Sequence, residues 1–320
     1  MARNDSYDAI VIGGGHNGLV AAAYLARGGA NVLVCERSSV LGGASRSEPT
    51  WPGFTVSTAA YVCSLFDPNV VRDLNLGAHG LSVYRKEPAS FTPLLDGRSL
   101  LLGSDAASNA AEIACFSRRD PEGFSAFVQS AEGLGAEIAS RFDDDDPDIA
   151  TLSTKTRELI NQPVAAYVER FVETPVLQAT LATDGLIGTY AGPRDAGTTY
   201  VLAHHYAGRI LGEQGAWGFV RGGMGALSEA VASAARTAGV HIQTHTEVTA
   251  IVREPAGIRV ETAAGGRLHA RAVLSNADPR TTFLTLCSED ALEPKFRERV
   301  RSWRSEGVSF KVNLALGALP

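Results

Sequence analysis

A glycine-rich segment near the amino terminus carries the clearest chemical signal in the sequence. Gly13, Gly15 and Gly18 follow the apolar run 7–12 and precede the helical run 19–27. In this pattern the first glycine permits a tight turn, the second lets the backbone approach a pyrophosphate, and the third lets the helix pack on the strand. Free N–H groups and the helix dipole favour an anion at the helix amino terminus. The spacing therefore predicts a dinucleotide-binding turn.

An acidic residue follows at the distance that such a turn requires. Glu36 ends the second apolar run, 31–35, and comes after Gly18 by close to the roughly 20 residues expected of a ribose-binding carboxylate. Gly42 and Gly43 come next, and a glycine pair at this point lets a further loop approach a cofactor bulkier than NAD. The pair therefore favours a dinucleotide bulkier than NAD, and a single-cofactor NAD dehydrogenase is the weaker alternative.

The composition narrows the classes of partner. Among 320 residues, 29 are basic and 35 acidic, giving a net charge of −6, and without a basic stripe nucleic-acid binding is not expected. The cysteines lie far apart, so a zinc site and a redox-active dithiol are not expected, and each thiol is predicted to be buried. They are Cys35, Cys63, Cys115 and Cys287. The acidic run 143–146 is predicted to be a solvated loop, and no metal site is predicted.

The termini and apolar runs indicate where the protein resides. Residues 1–7 are short and polar and do not form a secretory signal. No apolar run approaches the roughly 20 residues that a membrane-spanning helix needs. We therefore expect a bacterial cytoplasmic protein, with peripheral membrane contact left open.

The elements that must position these residues follow an α/β pattern. The first 35 residues form a β-α-β unit. In the middle of the chain we predict a hairpin over 90–103, followed by helices over 105–142 (with a break near 119–121), 163–172, 175–187 and 195–210. A loop over 212–225 and a helix over 226–238 come next. The last part is predicted to contain strands over 240–243, 247–253, 258–263 and 268–274, a helix over 290–304 and a strand over 308–316. The predicted fold is a Rossmann-like FAD-binding domain with a parallel sheet, interrupted by a mixed α+β substrate domain. The predicted division is 1–75 and 216–285 for the first, 76–215 for the second, and 286–320 for the start of a further substrate-domain segment.

The run 13–45 resembles the FAD-binding fingerprint of the phytoene desaturase and amine oxidase superfamily. Its residues 16–19 (His-Asn-Gly-Leu) are most similar to bacterial relatives of pyridine nucleotide-disulfide oxidoreductase domain-containing protein 2 and to the ketolase branch of carotenoid enzymes. Residues 90–93 resemble the start of the family's substrate domain, residues 215–227 the return to the FAD domain, and residues 272–279 a strand end that approaches the cofactor. The resemblance covers essentially the whole chain.

The resemblance implies a set of cofactor-binding residues. They are Gly13, Gly14, Gly15, His16, Asn17, Gly18, Glu36, Arg37, Gly42, Gly43, Ala44 and Val248. Val248 is expected to present backbone groups to the adenine. Family members also carry a later glycine-rich FAD segment, which this sequence does not contain, so we expect either a fragment or a naturally short protein.

The expected function is FAD-dependent oxidation, reduction or isomerisation, with hydride transfer to the flavin. The expected substrate is a largely apolar small molecule, carotenoid-like, isoprenoid-like or of another class, and the electron acceptor is unspecified. No catalytic residue is assigned. His204 and His205 are adjacent in a predicted helix and cannot share one face, so a structural role is favoured for them, and the alternative is that one of the two points toward the flavin. A flavin-binding or nucleotide-binding protein without turnover is the alternative.

Overall fold

The fold is described from a computed structural model, which covers residues 6–142, 144 and 146–318. Part of the acidic run 143–146 lies outside the described residues. The strands are β1 (Ser6–Ile12), β2 (Val32–Cys35), β3 (Ser47–Trp51), β4 (Phe54–Ser57), β5 (Val83–Arg85), β6 (Ser90–Pro93), β7 (Ser99–Leu102), β8 (Arg209–Ile210), β9 (Glu213–Gln214), β10 (Gly218–Val220), β11 (His241–Gln243), β12 (Val248–Glu254), β13 (Gly257–Thr262) and β14 (Arg267–Ser275). The α-helices are α1 (His16–Arg27), α2 (Pro68–Asp73), α3 (Ala106–Ala114), α4 (Asp120–Ala139), α5 (Thr154–Ile160), α6 (Val164–Val168), α7 (Pro175–Ala182), α8 (Thr198–Ala207), α9 (Met224–Thr237) and α10 (Pro294–Ser302).

A six-stranded sheet organises the first and last parts of the chain. Its order is β11-β2-β1-β14-β13-β12; the first four strands run parallel, and β13 and β12 complete an antiparallel meander with β14. Alternate residues of β1 serve two cores: Val11 joins α1 and α9 on one face, and Ile10 joins the meander on the other. The predicted Rossmann-like α/β fold is confirmed. It brings the carboxyl ends of β1, β2 and β14 to one edge.

A second, largely helical core lies in the middle of the chain. Phe127 of α4, Tyr167 of α6 and Leu202 of α8 are fully buried in it, and Leu100 of the β6–β7 hairpin closes one side. The predicted hairpin and the predicted break in the helix pair α3 and α4 are both present. The exact limits of the domains stay a prediction.

Three expectations about local structure are wrong. Residues 308–316 form no strand: Phe310 is 92% exposed, and this extended run has no partner strand in the described part of the chain. The run 212–225 is not a plain loop, because β10 pairs with β5, and Gly218 fits there because a Cβ would lie 2.6 Å from Val83 Cγ1. The expectation that every thiol is buried holds for Cys35 and Cys63 but not for Cys287, which is half-buried, or for Cys115, which is exposed at the C-cap of α3.

Candidate functional site

The predicted turn lies between β1 and α1, at the carboxyl edge of the parallel strands. Gly13 has a φ of +97°, a left-handed conformation that favours glycine, and its N–H donates to the Cys35 carbonyl at 2.8 Å. The helix begins at His16, and its N-cap, Gly15, provides no capping side chain. The first N–H groups of α1 are therefore available to an anion at this edge.

The other two glycines keep side-chain atoms out of crowded positions. A Cβ on Gly18 would lie 2.4 Å from the Gly13 carbonyl oxygen, so only glycine lets the helix pack this closely on the turn. A Cβ on Gly15 would lie 2.7 Å from Asn276 Nδ2. The glycine spacing thus produces a cradle of main-chain atoms that any larger side chain would fill.

Glu36 holds this turn in place. It is buried, with 9% of its surface exposed, and its Oε2 accepts a hydrogen bond from the Gly14 N–H at 2.7 Å. Its Oε1 accepts one from the Ser38 N–H at 2.8 Å. Each carboxylate oxygen can accept a further hydrogen bond, so the predicted contact to ribose hydroxyls is compatible with this arrangement.

The second glycine pair brings a further loop against the first. The Gly42 N–H donates to the Gly14 carbonyl at 2.8 Å, and Gly42 has a φ of +113°. A Cβ on Gly43 would lie 3.4 Å from the Cα of Gly15. Ala44 continues this loop, and its carbonyl accepts from the Ala60 N–H at 2.9 Å. The structure therefore brings 13–18 and 42–44 together, as the resemblance implies.

The remaining predicted residues occupy different surroundings. His16 is half-buried, its Nδ1 lies 3.3 Å from Ser45 Oγ, and burial lowers the pKa of its imidazole. Asn17 and Arg37 are exposed. Val248 is buried in the core between sheet and meander, but its strand reaches the site because the Thr246 N–H donates to the Glu36 carbonyl at 2.8 Å.

Asn276 lies at this site, within the strand end 272–279 that the resemblance places near the cofactor, although the residue itself was not assigned to the site. It directly follows β14, and its amide nitrogen faces the Gly15 position described above. Its side chain makes no hydrogen bond to any residue that the structure describes, whereas its N–H donates to the Ile12 carbonyl at 2.8 Å. The resemblance of residues 272–279 indicated this segment. The position of the Asn276 side chain beside Gly15 depends on the pairing of β14 with β1, which requires the sheet order to be known.

A cavity of about 880 Å³ lies in the middle of the chain. Its wall includes apolar and aromatic side chains from β6, β7, α4, α7 and the segment before β10: Phe91, Leu102, Phe124, Val128, Leu181, Ile187 and Trp217. Tyr61 also lines it and follows Ala60, the residue bonded to Ala44. We call the part of the cavity at Tyr61 and Trp217 its aromatic end. Through Tyr61 and Ala60 this end is connected to the loop that packs against the turn.

Two half-buried charged side chains line the same end. Burial lowers the pKa of the Lys86 ammonium, and the negative charge of Asp184 opposes this shift. Burial raises the pKa of the Asp184 carboxyl to about 6, and Lys86 opposes that shift. Lys86 Nζ lies 5.9 Å from the centroid of the Trp217 ring and donates to the Ala89 carbonyl.

The two histidines of α8 serve mainly as packing groups. His205 is buried, its Nδ1 lies 2.8 Å from the Asp184 carbonyl oxygen, and its ring centroid lies 5.6 Å from that of Trp217. Burial lowers the pKa of both His204 and His205. His205 therefore orients the backbone at Asp184, consistent with assigning no catalytic role to it.

The arrangement at the sheet edge suits an FAD diphosphate and ribose. The uncapped helix terminus supplies N–H donors, the Gly15 cradle supplies space, and Glu36 supplies an acceptor. Within the described residues, no cluster of three or more His, Cys, Asp or Glu side chains is arranged to hold a metal ion. Over the same residues, no helix has the length and apolar character needed to cross a membrane.

Comparisons with known sequences give consistent matches. Residues 18–315 match the model of the flavin containing amine oxidoreductase family. Pyridine nucleotide-disulfide oxidoreductase domain-containing protein 2 of Rattus norvegicus is 38% identical, over 98% of this chain and 60% of that protein. A polypeptide of the limonene dehydrogenase of Castellaniella defragrans is 30% identical, over 100% of this chain and 61% of that protein. The chain therefore spans about 60% of the length of these relatives.

The fold has counterparts among solved structures. Putrescine oxidase bound to putrescine superposes with a TM-score of 0.64 at 15% identity, covering 92% of this chain and 63% of that one. At this identity the likeness concerns the fold.

Proposed function

The chain belongs to the flavin containing amine oxidoreductase family, and on this premise we propose that it binds FAD at the turn 13–18 and oxidises a neutral, largely apolar molecule in the 880 Å³ cavity by hydride transfer to the flavin. The membership confirms the superfamily predicted from the sequence and the assignment to flavin oxidoreductases. It also confirms a flavin cofactor over NAD alone.

The observation that carries the proposal is the cradle at Gly15. Main-chain N–H groups of α1 bind the diphosphate, and the lack of a side chain on Gly15 lets these groups approach it beside the Asn276 amide. Glu36 orients the Gly14 N–H and accepts hydrogen bonds from the ribose. Gly42 and Gly43 close the other side without side-chain atoms.

The walls of the cavity support the apolar substrate. Aromatic and aliphatic side chains such as Phe91, Phe124 and Ile187 favour a molecule without charge and exclude water from it. Bound flavin supplies the hydride acceptor, so the protein needs to orient the substrate rather than to provide an acid or base at the reacting carbon. A relative named as a limonene dehydrogenase, for a neutral hydrocarbon, agrees with this substrate class.

The test combines binding with anaerobic reduction. The purified protein is titrated with FAD, then mixed with limonene or a carotenoid, and the absorption of oxidised flavin is followed. We expect FAD binding and loss of that absorption with at least one neutral unsaturated hydrocarbon. FAD binding with neither reduction by any such compound nor turnover with an artificial electron acceptor would favour the alternative of a binding protein without activity.

A further inference from the structure

We propose that Lys86 determines the specificity of the cavity, because its ammonium group lies over the Trp217 ring in the cavity that Asp184 also lines, and there it repels a substrate ammonium. The cavity then accepts neutral molecules and rejects amines. This inference rests on the proposed function, since it assigns the cavity to the substrate.

The surroundings of Asp184 have the composition of a cation-binding site. Trp217, Tyr61 and Tyr206 line the cavity together with Asp184, and His205 bridges Trp217 and the Asp184 backbone. Burial raises the pKa of the Tyr61 and Tyr206 phenols, and the charge of Asp184 adds to both shifts. A carboxylate among aromatic rings attracts ammonium groups through charge and through the ring quadrupoles. An alkylammonium ligand would therefore be expected here if the site were free.

Lys86 already supplies this cation from within the chain. It follows β5, and its N–H donates to the Trp217 carbonyl at 2.8 Å, so its backbone is held beside the ring. Its Nζ lies 5.9 Å from the Trp217 centroid and is held by the Ala89 carbonyl. This double attachment keeps the ammonium at the aromatic end.

The charges of Lys86 and Asp184 balance without direct contact. Among the described residues, neither side chain has an ion-pair partner within 4.0 Å, yet each shifts the pKa of the other. A second ammonium entering this space would be repelled by Lys86, and a carboxylate would be repelled by Asp184. A neutral molecule is repelled by neither side chain, because it adds no charge to the oppositely charged pair Lys86 and Asp184.

Proteins similar to this chain are named for ligands of different charge. The solved putrescine oxidase binds putrescine, a diamine, whereas the relative from Castellaniella defragrans is named for limonene, a neutral hydrocarbon. The family that this chain matches has amine oxidoreductase in its description. An internal ammonium in the cavity gives a physical reason why a member of such a family would take the neutral class.

The experiment measures binding of two probes of equal length, 1-hexanol and protonated 1-hexylamine, to the full chain by calorimetry. For the unmodified protein we expect hexanol to bind more tightly than hexylammonium. Lys86→Met should increase hexylammonium affinity by about tenfold, the size of a favourable cation–π contact, and should reverse the preference. Lys155→Met, on an exposed helix position, is the matched control and should change neither affinity.

Further variants test the electrostatic cause. Lys86→Arg retains the charge and should continue to reject hexylammonium, while Lys86→Met combined with Asp184→Asn should lose the gain. If circular dichroism shows that Lys86→Met is unfolded, Lys86→Gln replaces it. Hexanol binding without any gain for hexylammonium in the neutral variants overturns the inference alone. Binding of neither probe to any variant overturns the assignment of the cavity as the substrate site.

Discussion

The turn at 13–18 and the cavity around Asp184 are built from different parts of the chain and from different atoms. The turn is made of main-chain groups within the first 44 residues, and Glu36 is its chief side chain. The cavity is made of side chains from Tyr61 to Trp217, which approach only when the middle core has folded. Substitutions in the turn should therefore abolish binding of any dinucleotide, whereas substitutions in the cavity should change which ligand is accepted.

Gly15→Val should have the largest effect on binding. The new side chain would fill the space for the diphosphate, and we expect FAD and ADP affinity to fall by about 100-fold or more. The fold should persist, because the nearest atom to a new Cβ, Asn276 Nδ2, ends a side chain that can move. Gly77→Val is the control, since a Cβ there meets no atom within 4 Å. Global unfolding by circular dichroism would instead indicate that Gly15 serves packing.

Glu36→Ala should have the next largest effect. It removes the acceptor for ribose and leaves the Gly14 and Ser38 N–H groups without their carboxylate. We expect a loss of about 2 kcal/mol in ADP binding, the size of a hydrogen bond to a charged group, together with a lower melting temperature. Glu158→Ala, at an exposed position, should change neither. Unchanged ADP affinity in calorimetry would remove Glu36 from the site.

These two residues also show how far the sequence was sufficient. The turn, Glu36 and Gly42 were predictable because glycine conformation and short spacing are local properties of the chain. For Asn276 the resemblance indicated only its segment, 272–279, because the contact with Gly15 depends on the sheet order. The Lys86–Asp184 pair was not predictable, since helix packing brings it together over a long separation in sequence. The apolar run at 308–316 misled because a strand also needs a partner, which the sequence of the run does not reveal.

Asn276→Asp should have a smaller and more selective effect. This isosteric change places a negative charge beside the cradle at Gly15, where the diphosphate is expected. We expect ADP affinity to fall by about fivefold, or about 1 kcal/mol in exposed surroundings, while adenosine affinity stays unchanged. Equal losses for ADP and adenosine would mean that Asn276 supports the fold of the site rather than facing the diphosphate.

Asp184→Asn should leave ADP affinity unchanged and alter the pH dependence of stability. Because burial raises the pKa of Asp184 to about 6, the folded protein holds this proton at pH values where the unfolded chain has released it. The free energy of unfolding should therefore fall as pH rises from about 4 to about 6, and the variant should lose this fall. Lys86, Tyr61 and Tyr206 are the titratable groups that interact with this carboxyl, and all three remain in the variant. Urea unfolding at several pH values measures the free energy of unfolding of the unmodified protein and of the variant. If the two free energies change with pH in the same way, the prediction is contradicted.

The two hydrogen bonds that Glu36 accepts also determine when the ordering of the turn takes place. Gly14 and Ser38 are fixed by this carboxylate as the protein folds, before any cofactor arrives. The entropy lost in ordering the turn is therefore part of folding and does not reduce the affinity for the dinucleotide. Association at this edge then requires desolvation of the ligand and its diffusion to the turn, with no rearrangement of the main chain beforehand.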